Sequence, residues 1–508
     1  MHNLIGCVPH RALHNLALKY GPVLHLQLGE LSVVVVSSPD AAKQVMKTHD
    51  LNFASRPSIL AAEIISYGCT SISFGPHGDY WRQLRKICTL ELLSTKRVQS
   101  FRSLRENVFL DLTRWIASQD EGSPVNLTEK LYSSTYDLIT RAALGKQTKE
   151  QEKLLPIIKQ VIELGAGFDI GDVYPSVSLL QKISGLRKRL MRLHKEADMI
   201  LEDIIHDHKI DKNSDESEDL LDVLLKFQDD ALQLPLTTDN IKAVVMDVLM
   251  GGSETSATLM DWVMAAQNEV RQVFDVKGYV DESIIHQLPY LQSVMKETLR
   301  MHPPGPLLLP RKCSQTCEIN GYEIPVDTKI IINAWAINRD PKYWENANCF
   351  QPERFLDSSI DYMGNHFQYI PFGAGRRICP GISFGLANVE LPFAMFLYHF
   401  DWNLPAGMKH DEIDMTEGFG LAARRKNNLR VVPILKRTLP VNDIAHGYTP
   451  FSEKSSPGQP LLMVDTRTCA SVSIHRGILN KDIPKNIDIP PLKSLFDSNH
   501  FVMKIGKT

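Results

Sequence analysis

The stretch Pro371-Phe372-Gly373-Ala374-Gly375-Arg376-Arg377-Ile378-Cys379-Pro380-Gly381 decides the reading of this chain. It sets one thiol behind a glycine-rich, doubly basic turn and ahead of a long apolar segment, Ile382 to Phe400. A phosphate cradle would need GxGxxG or GxxxxGKS spacing after a parallel strand, and these glycines fit neither. A cysteine nucleophile would need a paired base, and no histidine stands close by in the sequence. A thiolate ligand fits the pattern. Glycines let backbone N–H groups turn toward the sulfur, and the start of the following helix offers its positive end to the same anion. Arg377, two residues before Cys379, is placed to meet an anionic group of a flat cofactor.

Two further constellations lie upstream. In Lys296-Glu297-Thr298-Leu299-Arg300 the acid and the base share one helical face at i, i+3. Their neighbours Leu291, Val294, Met295 and Leu299 are apolar, so the pair is expected to be buried and to need more partners. Arg354, in Gln351-Pro352-Glu353-Arg354-Phe355, is the candidate third member. In Met250-Gly251-Gly252-Ser253-Glu254-Thr255-Ser256, two adjacent helix-interior glycines cost about 1 kcal/mol each against alanine. That predicts a bulge or kink, beside which Glu254 and Thr255 can relay protons to a ligand. The alternative is a pair of helix-packing glycines and a threonine bonded back to its own helix.

In this order and spacing the motifs resemble the cytochrome P450 superfamily. PFGAGRRICPG resembles its haem-binding loop, KETLR its ExxR element, QPERF the partner segment and GGSET its oxygen-binding helix. Trp81-Arg82-Gln83-Leu84-Arg85 resembles the WxxxR of the family's C helix. HRALHNLALKYGPVLHLQLGE and YLQSVMKETLRMHPPGPLLLPR narrow the resemblance to plant microsomal enzymes of the 71 clan, near the sesquiterpene and alkaloid hydroxylases of its D subfamily. The implied fold is mainly α with a smaller β region, haem lying between a proximal and a distal long helix. The implied cofactor is haem b, iron protoporphyrin IX. Cys379 then corresponds to the axial thiolate, which in this family favours O–O cleavage. Trp81, Arg85, Arg311 and Arg377 correspond to the residues that hold the haem propionates, and Phe372 to a haem-loop contact. Glu254 and Thr255 correspond to the acid–alcohol pair of proton delivery. Glu297, Arg300 and Arg354 correspond to the buried structural triad.

The resemblance implies NADPH-driven insertion of one oxygen atom from O2 into a C–H or C=C bond. A separate NADPH–cytochrome P450 reductase would supply electrons at the cytosolic face of the endoplasmic reticulum membrane. The substrate-facing segments map to Ile59–Ile72, the helix near Val248, Pro306-Leu307-Leu308 and Phe419-Gly420-Leu421-Ala422. All are mostly apolar, which points to a small apolar substrate such as a terpenoid. Two alternatives stand beside this reading: a reductase-independent haem-thiolate lyase or isomerase, and a truncated, non-catalytic product.

Composition agrees with a large folded enzyme. The chain has 508 residues, 43% of them hydrophobic, and a net charge of -3 that gives no footprint for nucleic acid. Its eight scattered cysteines form no disulfide framework, which points to a reducing compartment, and Cys313 and Cys317 read as ordinary thiols. No run of 18 apolar residues offers a transmembrane helix, and MHNLIGCVPHRAL lacks a signal-peptide core. Helices are expected at Pro9–Tyr20, across 96–209, from Thr237 to about Phe274, at Tyr290–Met301 and at Ile382–Phe400. Val23–Ser38 and Cys317–Asn333 are β-rich, with turns at Gly29-Glu30 and Asn320-Gly321. Asn126-Leu127-Thr128 matches a glycosylation sequon but reads as a loop entering a helix.

Three features depart from the family. The expected division is a haem domain over 1–437, without the usual plant anchor and hinge, and a polar tail over 438–508. Between Met264 and Ala266 about a dozen residues of the family pattern are missing, so the two flanking helices are expected to fuse or strain and to disturb the Glu297 helix.

Overall fold

The computed structural model describes residues 7–439, apart from 146–151, 166–169, 178–179, 181–183, 211–217, 230–234, 263–266, 276, 406, 410–411 and 419. The first helix, α1 (Pro9–Tyr20), has proline in its first turn and ends at Gly21, φ 110°. It leads into a hairpin of β1 (Val23–Leu28) and β2 (Leu31–Val36), which turns at Gly29, φ 61°. Strand β3 is Val125–Asn126. Further on come β4 (Arg311–Lys312), β5 (Cys317–Ile319), β6 (Tyr322–Ile324), β7 (Lys329–Ile332), β8 (Phe400–Asn403) and β9 (Arg430–Leu435). The order β1-β2-β7-β4 builds one sheet, in which β2 and β7 run parallel with Val33 opposite Lys329 and Val36 opposite Ile332. A second sheet is β3-β9-β8, and β5-β6 is a hairpin closed by Asn320 and Gly321, both at positive φ.

The principal helices after α1 are α2 (Leu60–Ile65), α3 (Asp79–Ile87), α4 (Arg102–Ala117), α5 (Leu127–Leu144), α6 (Leu154–Leu164), α7 (Leu186–Ile210) and α8 (Leu220–Asp229). They continue with α9 (Thr238–Met260), α10 (Gln267–Phe274), α11 (Pro289–Met301) and α12 (Ile382–His399). Helix α9 opens with a reciprocal capping box between Thr237 and Asn240. It is central: one large apolar cluster joins its C-terminal end to α4, α11 and α12, and a second joins its N-terminal half to α2, α5, α6, α7 and α8. Helix α12 buries residues on every face, as its nearly unbroken apolar sequence requires.

The expected fusion of two helices does not occur. Helix α9 stops at Met260 and α10 begins at Gln267, while the shortened junction, 263–266, lies outside the described residues. The tail from Pro440 onward also lies outside them. The sequon residues are structural. Asn126 caps α5 through Glu129 N–H, and Thr128 Oγ1 donates to Asp261 Oδ1 at 2.7 Å. Among the described cysteines all are free thiols, Cys313 and Cys317 included.

Helix α1 is fastened to the 414–425 loop by Glu417, whose Oε2 lies 2.9 Å from His10 Nε2 and 2.7 Å from Arg11 Nε. Burial alone would raise this carboxyl, but pairing with His10 and Arg11 outweighs it and holds the group at about 2. A depressed carboxyl stabilises the fold above its unfolded value and loses that contribution as pH falls through the folded one. The drop from 4.5 to about 2 corresponds to roughly 3 kcal/mol. We expect Glu417→Gln to be less stable than wild type at pH 7 and nearly equal to it at pH 2. Thermal unfolding across that window checks this, and a constant gap between the two proteins would contradict it.

Candidate functional site

The cysteine loop is shaped by two glycines that no other residue replaces cheaply. Gly373 and Gly375 have φ of 72° and 68°, and a Cβ on Gly375 would sit 2.0 Å from Met46 O. The loop brings Cys379 N–H to Phe372 O at 3.0 Å, and Phe372 itself packs edge-on to Tyr362. Burial pushes the Cys379 thiol up, while the Gly381 N–H and Arg85 pull it down. Gly381 caps α12, and a Cβ there would meet the sulfur at 3.9 Å. The sulfur thus faces backbone N–H, a helix start and a cation, the surroundings of a thiolate ligand.

Behind the loop the triad is complete and buried. Glu297 receives Arg300 at 2.7 and 2.8 Å, Arg354 Nε at 3.2 Å and the Gln351 N–H at 2.8 Å. Arg300 also donates to the carbonyls of Asn338 and Ala347, at 3.0 and 2.7 Å. Asn338 Oδ1 in turn accepts the N–H of Ile370, next to the first residue of the cysteine loop. The pair is therefore desolvated but fully bonded, and it carries the loop through Asn338. Helix α11 keeps the bonds of its triad.

Four guanidiniums gather beside the loop: Arg85, Arg311, Arg377 and Arg56, the last with no sequence signal beyond a lone arginine in Ser55-Arg56-Pro57. Arg85 donates to Ile378 O at 2.7 Å, and Arg311 to Ala374 O at 2.9 Å. Arg377 donates to Ala54 O, Ile72 O and Gly75 O, with its guanidinium carbon 3.9 Å from the Trp81 ring centre. The indole N–H of Trp81 goes to Ile72 O at 2.9 Å, so Trp81 serves here as a plate under Arg377. Burial first, and then mutual repulsion, push Arg56 and Arg377 down. Among the described residues, the carboxylates that act on this group of cations are Asp50 and Asp247. A buried excess of positive charge with guanidinium N–H groups to spare fits a cofactor bearing two carboxylates, and Cys379 fits the metal it carries.

Helix α9 is continuous α-helix through Gly251-Gly252, so the expected bulge is not there. A Cβ on Gly252 would sit 3.0 Å from Ile139 Cδ1 on α5, and the glycine serves close helix packing. The Thr255 hydroxyl is bonded back to Gly251 O. Glu254 is buried, and burial raises its carboxyl against the pull of Arg424, Lys159 and Tyr132. Tyr132 on α5 also pairs with Thr258 Oγ1 at 2.9 Å. The acid and the alcohol are thus both present, with the acid's partners on α5, α6 and the 417–425 loop.

A mostly apolar cavity lies against this helix. Ile59, Ile65, Phe74, Met250, Leu308 and Leu421 contribute to its lining. Of the expected substrate-facing segments, Ile59–Ile72 and Pro306–Leu308 contribute, as do Gly420 and Leu421, while Phe419 lies outside the described residues. Near Val248 it is Asp247 and Met250 that reach the cavity. Asp247, Asp172 and Lys329 add polar points that sequence reading missed. Among the described residues no helix is long and apolar enough to cross a membrane.

Comparison with known proteins follows this geometry. A family model described as Cytochrome P450 matches residues 3–429. Salviol synthase of Salvia pomifera is 61% identical over 452 residues, covering 87% of this chain and 90% of that protein. Premnaspirodiene oxygenase of Hyoscyamus muticus is 50% identical over 450 residues, covering 85% and 89%. Germacrene A hydroxylase of Barnadesia spinosa is 47% identical over 449 residues, covering 86% and 90%. A solved zebra fish cytochrome P450 with abiraterone aligns with TM-score 0.72 at 23% identity, over 84% of this chain and 99% of that one, and shows the shared fold.

Proposed function

This chain belongs to the cytochrome P450 family of haem-thiolate monooxygenases, and on that premise we propose that it oxygenates a plant terpenoid, with Cys379 the residue that would hold the haem iron. As a monooxygenase it uses dioxygen, a small organic substrate and electrons from a redox partner. The finer proposals are that the partner is NADPH–cytochrome P450 reductase and that the protein works at the endoplasmic reticulum membrane, as plant members of the family do. Residues 1–437 make the haem domain and 438–508 a tail outside it.

The observation that carries the proposal is the mostly apolar cavity against α9 at Asp247 and Met250, on a chain whose relatives include enzymes named for salviol, premnaspirodiene and germacrene A. When bound, haem supplies dioxygen activation and oxygen transfer. The chain's own residues do the rest. Arg56, Arg85, Arg311 and Arg377 hold the two carboxylates. The cavity walls seat the substrate and keep out water. Glu254, its carboxyl raised by burial, serves as the acid of the relay, and the Thr255 hydroxyl, once it leaves Gly251 O, passes the proton on. A lyase or isomerase has no need of this pair for cleavage of dioxygen.

Reconstitution with a plant reductase, NADPH and a panel of diterpenes and sesquiterpenes tests the function. NADPH-dependent hydroxylated product supports it, and turnover of a hydroperoxide without reductase would replace it with the lyase reading. In the same assay Thr255→Ala is expected to consume NADPH while product per NADPH falls on the order of ten- to a hundredfold, the remainder appearing as hydrogen peroxide. Unchanged coupling would remove Thr255 from the relay.

A further inference from the structure

One short loop, Ser71–Gly75, supplies three of the carbonyls on which Arg56 and Arg377 rest. Ile72 O takes the Trp81 N–H at 2.9 Å and Arg377 Nη1 at 3.2 Å. Ser73 O takes Arg56 Nε at 3.0 Å, and Gly75 O takes Arg377 Nη2 at 2.6 Å. Arg56 Nη1 continues to Leu309 O and Pro310 O, at 2.7 and 2.9 Å, on the opposite cavity wall. A loop that aims its carbonyls at arginines needs something to hold its N–H groups.

That partner is Asp247, one turn before Gly251 on α9. Its Oδ2 accepts the Ser73 N–H at 2.8 Å, and the Ile72 N–H and the hydroxyls of Ser71 and Ser73 lie near enough to favour its charged form. Asp247 lines the cavity together with Met250. Burial pushes its carboxyl up to about 6, a cost that these four donors and the charge of Arg56 offset only in part. A carboxylate kept in an apolar wall at such a cost, with its acceptors taken by one loop, is a device for positioning that loop.

We propose that Asp247 is a positioning residue that sets the haem-carboxylate clamp of Arg56 and Arg377 through the Ser71–Gly75 loop, so that the substrate wall and the cofactor's edge move together. This rests on the reading of those arginines as carboxylate-binding. A bulky substrate pressing on α9 near Met250 then reaches the clamp through one carboxylate and one loop.

The test uses the full-length holoenzyme and haem transfer to excess apomyoglobin, measured per mole of haem alongside the carbon monoxide spectrum. Asp247→Asn keeps an oxygen acceptor but loses charge and sets an N–H2 against the loop's donors. It is expected to retain the thiolate band and to release haem on the order of tenfold faster than wild type. Asp247→Glu should recover part of the loss, and Ser71→Ala and Ser73→Ala should each speed release by a smaller factor. Wild-type release from Asp247→Asn would overturn the proposal, as would faster release accompanied by loss of the thiolate band and a lowered melting temperature, the signature of simple unfolding. Should Asp247→Asn yield no holoprotein, the two serine variants decide: wild-type release from both overturns the proposal. Arg56→Ala and Arg377→Ala separate this proposal from its premise, for if neither speeds haem release, the reading of the clamp itself falls.

Discussion

Cys379→Ser is expected to abolish the red-shifted carbon monoxide band of the reduced protein and to reduce oxygenation to background. The sulfur has no understudy. It stands at the start of α12 with the Gly381 N–H and Arg85 favouring its anionic form, and a serine hydroxyl is far too weak an acid to replace it there. Cys379→His should bind haem with the band position of a neutral ligand. The control is Cys88→Ser. Cys88 is buried, and burial pushes its thiol up to about 12, so it is inert and its loss should leave the band where it was. A normal band in Cys379→Ser, or a lost one in Cys88→Ser, would move the ligand elsewhere.

The second large effect lies in the triad. Glu297→Ala leaves Arg300 fully buried with no counter-charge, and breaking a buried pair in this way costs about 3–5 kcal/mol. The loss should appear as a lower urea midpoint with an unchanged slope and as a fall in haem content, since Arg300 holds Asn338 and Asn338 holds Ile370 at the entrance to the cysteine loop. Arg300→Lys should cost nearly as much, because an ammonium cannot donate in two parallel bonds to Glu297 and still reach Asn338 and Ala347. A cost under about 1 kcal/mol for both would mean that the triad is ornamental to the fold.

Much of this site was legible because its chemistry needs rare residues at fixed spacing. Cys379 with its glycines, and Glu297 with Arg300, announce themselves in short windows, since backbone at positive φ and buried ion pairs restrict what can stand there. Turns at Gly29 and Asn320-Gly321 were legible for the same reason. What escaped was carried by tertiary neighbours. Arg56 and Asp247 are ordinary residues in sequence, and only folding brings them to the Ser71–Gly75 loop. The tie between Glu417 and α1 joins residues 407 apart in the sequence. The bulge expected at Gly251-Gly252 is absent, and Ile139 on α5 packs close against the missing side chain of Gly252. The expected fusion of α9 with α10 failed although periodicity continues through the junction in sequence: α9 ends at Met260, and its end and α10 pack separately into one apolar cluster with α12.

The parallel pairing of β2 with β7 also governs how this protein is made. Leu31–Val36 pairs with β1, its neighbour in sequence, but the strand that covers its other edge follows about 300 residues later. At roughly 5–20 residues per second the interval is on the order of 15–60 s, far longer than a hairpin needs to form. Throughout it a nascent ribbon ending in four consecutive valines presents unpaired amides to every other chain in the polysome. Production of this enzyme is therefore a problem of shielding one strand during synthesis. Slower elongation lengthens the hazard, and a holding chaperone that caps the valine edge shortens it.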